Sequence, residues 1–168
     1  MIELRLCKVL IAASLALFAD LVAVDNVLDY GSNYTFVSHV LSMDTTFPES
    51  ATHWRAITQP MLWHLAYGII ILGEALTGAA YSIGSIALLR SLRATGETFN
   101  RSKRFVYLAT AFGFLVWFFA FMVIGGEWFS MWQSPTWNRQ QAAFRFYVAV
   151  LGAGIFIALE DRDLNRPA

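Results

Sequence analysis

Long apolar runs alternate with shorter polar stretches along the chain. Four of these runs, at residues 9–28, 61–89, 105–124 and 142–159, consist mostly of apolar residues. A transmembrane helix needs roughly 20 such residues, so each run is long enough to cross a bilayer. The pattern predicts an all-α membrane protein, in which a four-transmembrane-helix bundle forms a single membrane domain over residues 1–168.

Two connections, at residues 29–60 and 125–141, lie on the same side of the membrane if the four helices alternate in direction. Helical spacing appears in the first connection at Phe36, Val37, Val40 and Leu41. This spacing predicts a short amphipathic helix on the membrane surface, beginning after Ser32 and Asn33, which are residue types favoured at N-caps. A connection of this length is too long to be structureless. We therefore expect both connections to form one folded cap on the outer face.

The charged residues indicate the orientation of the chain. Twelve Lys and Arg balance twelve Asp and Glu, and the absence of a basic excess argues against a nucleic-acid partner. Nine of the twelve basic residues flank one set of helix ends: Arg5, Lys8, Arg90, Arg93, Arg101, Lys103, Arg104, Arg162 and Arg166. Basic residues are retained on the cytoplasmic side, so we predict that both termini are cytoplasmic and that the cap is outside.

Ionisable groups within the spans are candidates for function, because each is costly in lipid unless it is paired or hydrated. The predicted polar network comprises Asp20, Asp25, His64, Tyr67, Glu74, Glu127 and Arg145. Steps of three and four residues from His64 to Ser85 place a polar seam on one face of the second span, which should point into the bundle. Arg145 needs a counter-ion, for which Glu127, Asp25 and Asp20 are candidates. The third span carries no charge and is expected to face lipid or a partner.

Aromatic residues are concentrated in the predicted cap. The candidates for outer-face binding are Phe36, Trp54, Trp128, Trp132 and Trp137. Such residues are typical of an aromatic belt at the headgroup level, while a ligand-stacking cage or a docking surface stays open. We expect Trp128 or Trp132 to pack against apolar residues of the first connection, namely Phe36, Val40 or Phe47. Glu127 and Arg145 are expected to anchor the base of the second connection.

The residues that could carry metal or catalytic chemistry are few. His39, His53 and His64 all fall on the predicted outer side among carboxylates, a combination that suits several transition metals. No two of them have the spacing of a ligand pair on one helix, so they are weak candidates. The absence of a nucleophile–base motif or a phosphate loop makes an enzyme the less favoured class. We predict no cofactor and leave open a bound lipid or quinone.

A resemblance to a known family is found in three segments that lie between the four spans. These segments are DNVLDYGSNYTFVSHVLSMDTTFP, WRAIT and GGEWFSMWQSPTWN. They resemble a bacterial family of predicted small integral membrane proteins of unknown function. The resemblance covers nearly the whole chain. It implies a multi-pass protein of the bacterial inner (cytoplasmic) membrane with four helices, and it supplies no activity and no catalytic residues.

These features favour an accessory subunit or a small binding protein within a larger membrane assembly, acting through its outer aromatic and polar face. Its partners would be membrane lipids and either other membrane-protein subunits or further copies of itself. One alternative is a small oligomeric transporter or channel that uses Asp20, Glu74 and Arg145. A second alternative is a membrane redox or metal protein, which a visible absorption spectrum would favour.

Overall fold

The structure, a computed structural model, describes residues 2–164, so Arg166 of the predicted cytoplasmic set lies outside it. All regular secondary structure within this range is helical. Four helical stretches are long and apolar enough to cross a membrane: Ile2–Leu28, Pro60–Arg90, Gly96–Trp128 and Gln140–Ala158. The predicted all-α, four-helix membrane bundle is therefore confirmed, whereas its orientation stays a prediction.

Six α-helices make up most of the described chain. They are α1 (Ile2–Leu28), α2 (Tyr30–Ser42), α3 (Pro60–Arg90), α4 (Gly96–Ser102), α5 (Arg104–Phe114) and α6 (Gln140–Ala158). Short 3-10 turns lie at His53–Arg55 and Met131–Gln133. Without a break, α5 continues as a wider π-type helix over Leu115–Trp128, here called the π segment.

The π segment is the least ordinary element of the fold. At its end the backbone N–H of Phe129 donates to the carbonyl of Ile124, five residues earlier, at 3.0 Å. π-Helices usually last a single turn and occur frequently at functional sites. The wider winding changes which residues share a face, and Trp117 and Val116 both lie buried in the bundle.

The first and second spans approach each other closely because their contacting residues are small. Ala12, Ala16 and Ala19 lie on the buried face of α1. Opposite them, Gly78 of α3 lies so near Asp20 that an added Cβ would be 2.9 Å from its backbone nitrogen. Small residues at such contacts allow helix backbones to approach in a membrane, so these two helices form the most intimate pair of the bundle.

The third span, which was expected to face lipid or a partner, exposes one side along the bundle but also packs against α3 on its other side. Trp117 is only 2% exposed and Val106 is fully buried. Glycines of α3 make room for this span, because Gly84 lies against Val106 and Gly73 lies against Val116. The absence of charge in the span therefore reflects packing against α3 on one side as well as exposure on the other.

Large apolar side chains remain exposed along the outside of the long helices. Examples from all four spans are Leu17, Leu21, Leu65, Ile69, Leu72, Leu108, Leu115 and Ile155. A soluble monomer rarely exposes an apolar surface of this extent. In a bilayer the same surface faces the lipid chains.

The predicted amphipathic helix is present as α2, although it starts earlier than its N-cap signals indicated. It begins at Tyr30, directly after α1, rather than after Ser32. The final turn of α1 extends through Asp29, whose backbone N–H donates to Asp25 at 2.8 Å, so there is no loop that Ser32 could cap. The apolar face of α2 is buried in the cap. The helix ends at Ser42 and is followed by Met43, which adopts a left-handed conformation with φ 55°.

Candidate functional site: the cap and the polar network beneath it

A buried polar cluster joins the first three helices below the cap. Asn26 is 7% exposed and its Nδ2 donates to Glu74 Oε2 at 2.6 Å. The Asn26 Oδ1 atom accepts hydrogen bonds from Asn33 Nδ2 at 2.6 Å and from the Tyr67 hydroxyl at 3.2 Å. We call Asn26, Asn33, Tyr67 and Glu74 the Asn26 network. Tyr67 and Glu74 belong to the polar network predicted from the sequence, whereas Asn33 was predicted only as an N-cap type and Asn26 was not predicted.

The polar seam of the second span lies on the buried face of α3. Tyr67, Glu74, Tyr81 and Ser85 are all buried, while His64 at the outer end is exposed. Tyr81 is hydrogen-bonded to the Thr110 hydroxyl at 3.0 Å, so the seam also contacts the third span. A polar stripe of this kind acts as interhelical glue in a membrane bundle.

Asp20 is half-buried and bonded apart from the Asn26 network. Its Oδ2 accepts a hydrogen bond from Ser82 of α3 at 3.1 Å. In residues 2–164 this is its only side-chain hydrogen bond and it has no ion pair. The structure therefore does not link Asp20 to Glu74 or Arg145.

The expected pairing of Arg145 with an acidic residue is wrong for the described part of the chain. Arg145 is exposed, because the buried face of α6 runs through Ala143 and Val150 and Arg145 projects to another side. Glu127 and Asp25 are also exposed, and neither forms an ion pair within residues 2–164. Asp25 lies one position from Asn26 on α1, so it points away from the face that carries the network.

The three histidines lie apart, each bonded to a different neighbour. His39 Nδ1 is 2.7 Å from Asp44, and His53 Nε2 is 2.8 Å from the Thr46 hydroxyl. His64 Nδ1 is 2.8 Å from the Tyr30 hydroxyl. Within residues 2–164, no three His, Cys, Asp or Glu side chains are grouped so that they could hold a metal ion. The structure thus gives the weak metal candidates no common site.

The two outer connections pack together as one unit, the cap. The rings of Phe47 and Trp132 meet edge to face at 5.8 Å, as the sequence analysis expected for this pair. The Trp54 and Trp128 rings make a second edge contact at 5.9 Å. Hydrogen bonds between the connections accompany these contacts: Thr45 to Ser134 at 2.8 Å, Thr52 to Ser130 at 3.1 Å, and the Phe47 amide to Gln133 at 3.1 Å.

The other two predicted aromatic residues lie inside the cap rather than on its rim. Trp137 and Phe36 are half-buried, and Trp137 stacks on His39 at 4.6 Å. Beneath them Met43 is buried in a left-handed conformation, as is Ser130 in the second connection. Such conformations persist only where the surroundings enforce them. The cap is therefore a built surface and not a pair of loose loops.

Arg55 is at the centre of the exposed rim of the cap. Its guanidinium carbon lies 4.6 Å from the ring centre of Trp128 and 5.3 Å from that of Trp54. Its Nη1 atom donates to the Trp128 carbonyl at 3.2 Å. The Arg55 Nε is buried without a hydrogen-bond partner, and the side chain has no ion pair among residues 2–164. A cation with most of its donors unused is thus held between two tryptophans.

The opposite end of the bundle holds an ion cluster that the sequence analysis missed. The ammonium groups of Lys8 and Lys103 each lie 2.6 Å from Asp161 Oδ2, with both lysine side chains 0% exposed. Arg5 donates to the carbonyls of Leu92, Ala94 and Arg162, at 3.1, 2.7 and 2.7 Å. We call Arg5, Lys8, Lys103 and Asp161 the basic-end cluster.

The charges in this cluster affect the titration of Asp161. Burial favours its neutral form, but hydrogen bonds from Lys103 and Lys8, together with their charges, hold the pKa of the Asp161 carboxyl below its usual range. The cluster ties the described chain end after α6 to the start of α1. The basic residues that predicted orientation therefore also close the bundle.

Sequence signals for the missed residues exist but are weak. Asn26 continues the three-and-four spacing of the small buried residues Ala16, Ala19 and Ala23 on α1. That spacing would have separated Asn26, which faces inward, from Asp25, which does not. Nothing comparable marks Asp161, because it follows the last helix in an irregular segment and is paired with residues more than 50 positions away.

The chain belongs to the family described as predicted small integral membrane protein (DUF2165), whose model matches residues 4–160. No curated protein and no solved structure shows detectable similarity to it.

Proposed function

We propose that this member of the family is an accessory subunit or binding protein of a larger membrane assembly, and that the cap is its docking surface. The resemblance in its sequence favours the bacterial inner membrane as its location. The family assigns an integral membrane protein without an activity. The proposal therefore depends on the chemistry of the cap.

The rim of the cap exposes large aromatic side chains on an ordered base. Phe47, Trp54, Trp128 and Trp132 remain 54%, 72%, 45% and 49% exposed although each contacts another ring. Tryptophan and arginine are the residue types that most often dominate binding energy at protein interfaces. Because these side chains already pack against one another in pairs on a hydrogen-bonded backbone, less conformational entropy would be lost on docking.

The unpaired guanidinium of Arg55 is the observation that carries the proposal. Lipid-facing tryptophans alone would suffice for a membrane anchor, and such a belt does not need an arginine that stacks between them without an ion pair in residues 2–164. Guanidinium groups recognise carboxylates with two parallel hydrogen bonds. We infer that the partner presents an acidic side chain to Arg55 and an apolar surface to the surrounding rings.

The transporter alternative has less support. It needs a continuous polar path, but Asp20 and Glu74 belong to separate clusters, and Arg145 is exposed without a hydrogen bond or ion pair in residues 2–164.

Co-purification from native membranes in a mild detergent tests the proposal. The parent protein should carry a partner in fixed stoichiometry, and Arg55→Gln should lose it. Arg55→Lys should retain the partner only weakly, because lysine keeps the charge without the planar stacking surface. Arg145→Gln provides the matched control, since it removes the charge of an exposed arginine away from the rim.

A thermal melt of each variant separates loss of binding from loss of fold. Arg55→Gln should melt within a few degrees of the parent, because it removes one hydrogen bond and two ring contacts at the rim and nothing in the bundle. Two results would contradict the proposal: a parent protein that purifies as a lone species from native membranes, or a partner retained equally by Arg55→Gln.

A further inference from the structure

A small chamber lies beside the Asn26 network, between α1, α2, α3, the π segment and α6. Its volume is about 190 Å³. Its polar lining includes Glu74, Asn33 and Arg139, and its aromatic lining includes Trp117 and Phe146. A cavity of about 150 Å³ is known to hold one benzene ring, so the chamber has room for a single substituted ring.

The polar groups in the chamber wall have unused bonding capacity. Glu74 is 2% exposed, and only its Oε2 is hydrogen-bonded among residues 2–164, by Asn26. The Asn33 side-chain nitrogen donates to Asn26, and the Asn33 side-chain oxygen accepts no hydrogen bond in the described chain. The Arg139 side chain forms neither a hydrogen bond nor an ion pair there. The Glu74 Oε1 atom is not among the described side-chain atoms that are fully buried without a partner, so a donor in the chamber can reach it.

A second and larger cavity adjoins the chamber. It has a volume of about 510 Å³, lies among α2, α3 and the π segment, and is lined without any charged residue. It is open on the side where the exposed Ile69 and Leu115 face the lipid chains. Phe36, Val37, Ile70 and Phe121 are common to both linings. In that shared wall the rings of Phe36 and Phe121 are stacked at 5.9 Å, so both rings border the two spaces.

We propose that the two cavities form one binding site for a quinol-type amphiphile, a hydroxylated ring that carries a hydrocarbon tail. The ring occupies the chamber, where one hydroxyl donates to the free oxygen of Glu74 and the oxygen on the opposite edge accepts from Arg139. The tail lies in the apolar cavity beyond Phe36 and Phe121. The proposal concerns binding alone and includes no electron transfer.

The chemistry of the chamber favours a ring over a phospholipid headgroup. The buried Glu74 carboxyl would repel a phosphate that the exposed Arg139 would attract, whereas a ring with a hydroxyl and a second oxygen can satisfy both side chains. The flanking Trp117 and Phe146 rings offer faces for stacking. The chamber volume also suits one ring rather than a headgroup together with its glycerol.

A titration of the full chain in phosphatidylcholine nanodiscs with a decyl-tailed benzoquinol tests this site. Tryptophan fluorescence should be quenched saturably, and Trp117→Phe should remove most of the quenching. Glu74→Gln and Arg139→Gln should each weaken binding by at least about tenfold, the equivalent of one lost hydrogen bond to a charged group. Arg145→Gln, on the same helix as the chamber wall, should bind like the parent.

Arg139→Gln keeps the test decisive if Glu74→Gln fails to fold, because the exposed Arg139 side chain has no bonded neighbour in residues 2–164. Unsaturable quenching that is the same in all variants would overturn the proposal. So would saturable quenching that neither Glu74→Gln nor Arg139→Gln weakens. Displacement of the probe by added phosphatidylethanolamine at equal concentration would identify a phospholipid site instead.

Discussion

Removal of the Asp161 carboxylate is the most severe single change that the structure predicts. The two ammonium groups of Lys8 and Lys103 each lie 2.6 Å from the same oxygen of Asp161, and both lysine side chains are 0% exposed. Asp161→Ala would leave two buried cations without a counter-ion. Breaking a buried pair by removing one partner costs about 3–5 kcal/mol, a large part of the roughly 5–15 kcal/mol that stabilises a domain.

A thermal melt in detergent, followed by circular dichroism, measures this cost. For a chain of this size about 1 kcal/mol corresponds to roughly 2–4 °C, so Asp161→Ala should lower Tm by roughly 6–20 °C. Asp161→Asn should lower Tm by less, since its carbonyl can still accept one hydrogen bond. Glu160→Gln is the matched control, because it removes the same charge from an exposed neighbour and should stay within about 0.5 kcal/mol of the parent.

The pH dependence of this difference provides a second readout. The folded structure holds the pKa of Asp161 below the ordinary value of 3.8. The stabilisation is therefore complete above the pKa of the unfolded chain and is lost as the pH falls through the lower pKa of the folded state. The Tm gap between the parent and Asp161→Asn should be constant from pH 7 to 5 and should narrow below about pH 3.8. A Tm for Asp161→Ala that equals that of Glu160→Gln would refute the reasoning.

Two further predictions concern helix packing and orientation. Gly78→Ala should destabilise the protein by about 1–3 kcal/mol, because the added Cβ would meet the Asp20 backbone. Gly68→Ala is the control and should be neutral in the same melts, because nothing lies within 4 Å of its added Cβ. For orientation, single cysteines are introduced into a Cys7→Ser background and treated with an impermeant thiol reagent outside the cell. The cysteine of Glu49→Cys should react and that of Thr98→Cys should not. The reverse pattern would show that the basic end is outside.

The spans were predictable from sequence because each depends on a local property, the length of an apolar run. The seam of α3 was predictable for a related reason, since Tyr67, Glu74 and Tyr81 repeat at helical spacing. The packing of one side of the third span against α3 was not predictable, because it depends on where Gly73 and Gly84 of α3 lie.

The π segment and the basic-end cluster show two further limits. A run such as Leu115–Trp128 has the same apolar pattern whether it winds as an α-helix or a π-helix, and the difference decides where Trp117 and Phe121 point. Asp161 is paired across more than 150 residues with Lys8, and no local pattern specifies such a contact. The Phe47 and Trp132 contact could be anticipated only because few other apolar groups were available to cover the first connection.

Photo-crosslinking in native membranes tests the central claim, that the cap is a docking surface, most directly. A photoreactive amino acid would replace Trp132 on the rim of the cap, and Leu108 on the exposed side of the third span would serve as the comparison. The account predicts one discrete protein adduct at Trp132 that is absent at Leu108 and disappears when Arg55→Gln is added. No protein adduct at Trp132, or an adduct that persists unchanged with Arg55→Gln, would contradict it.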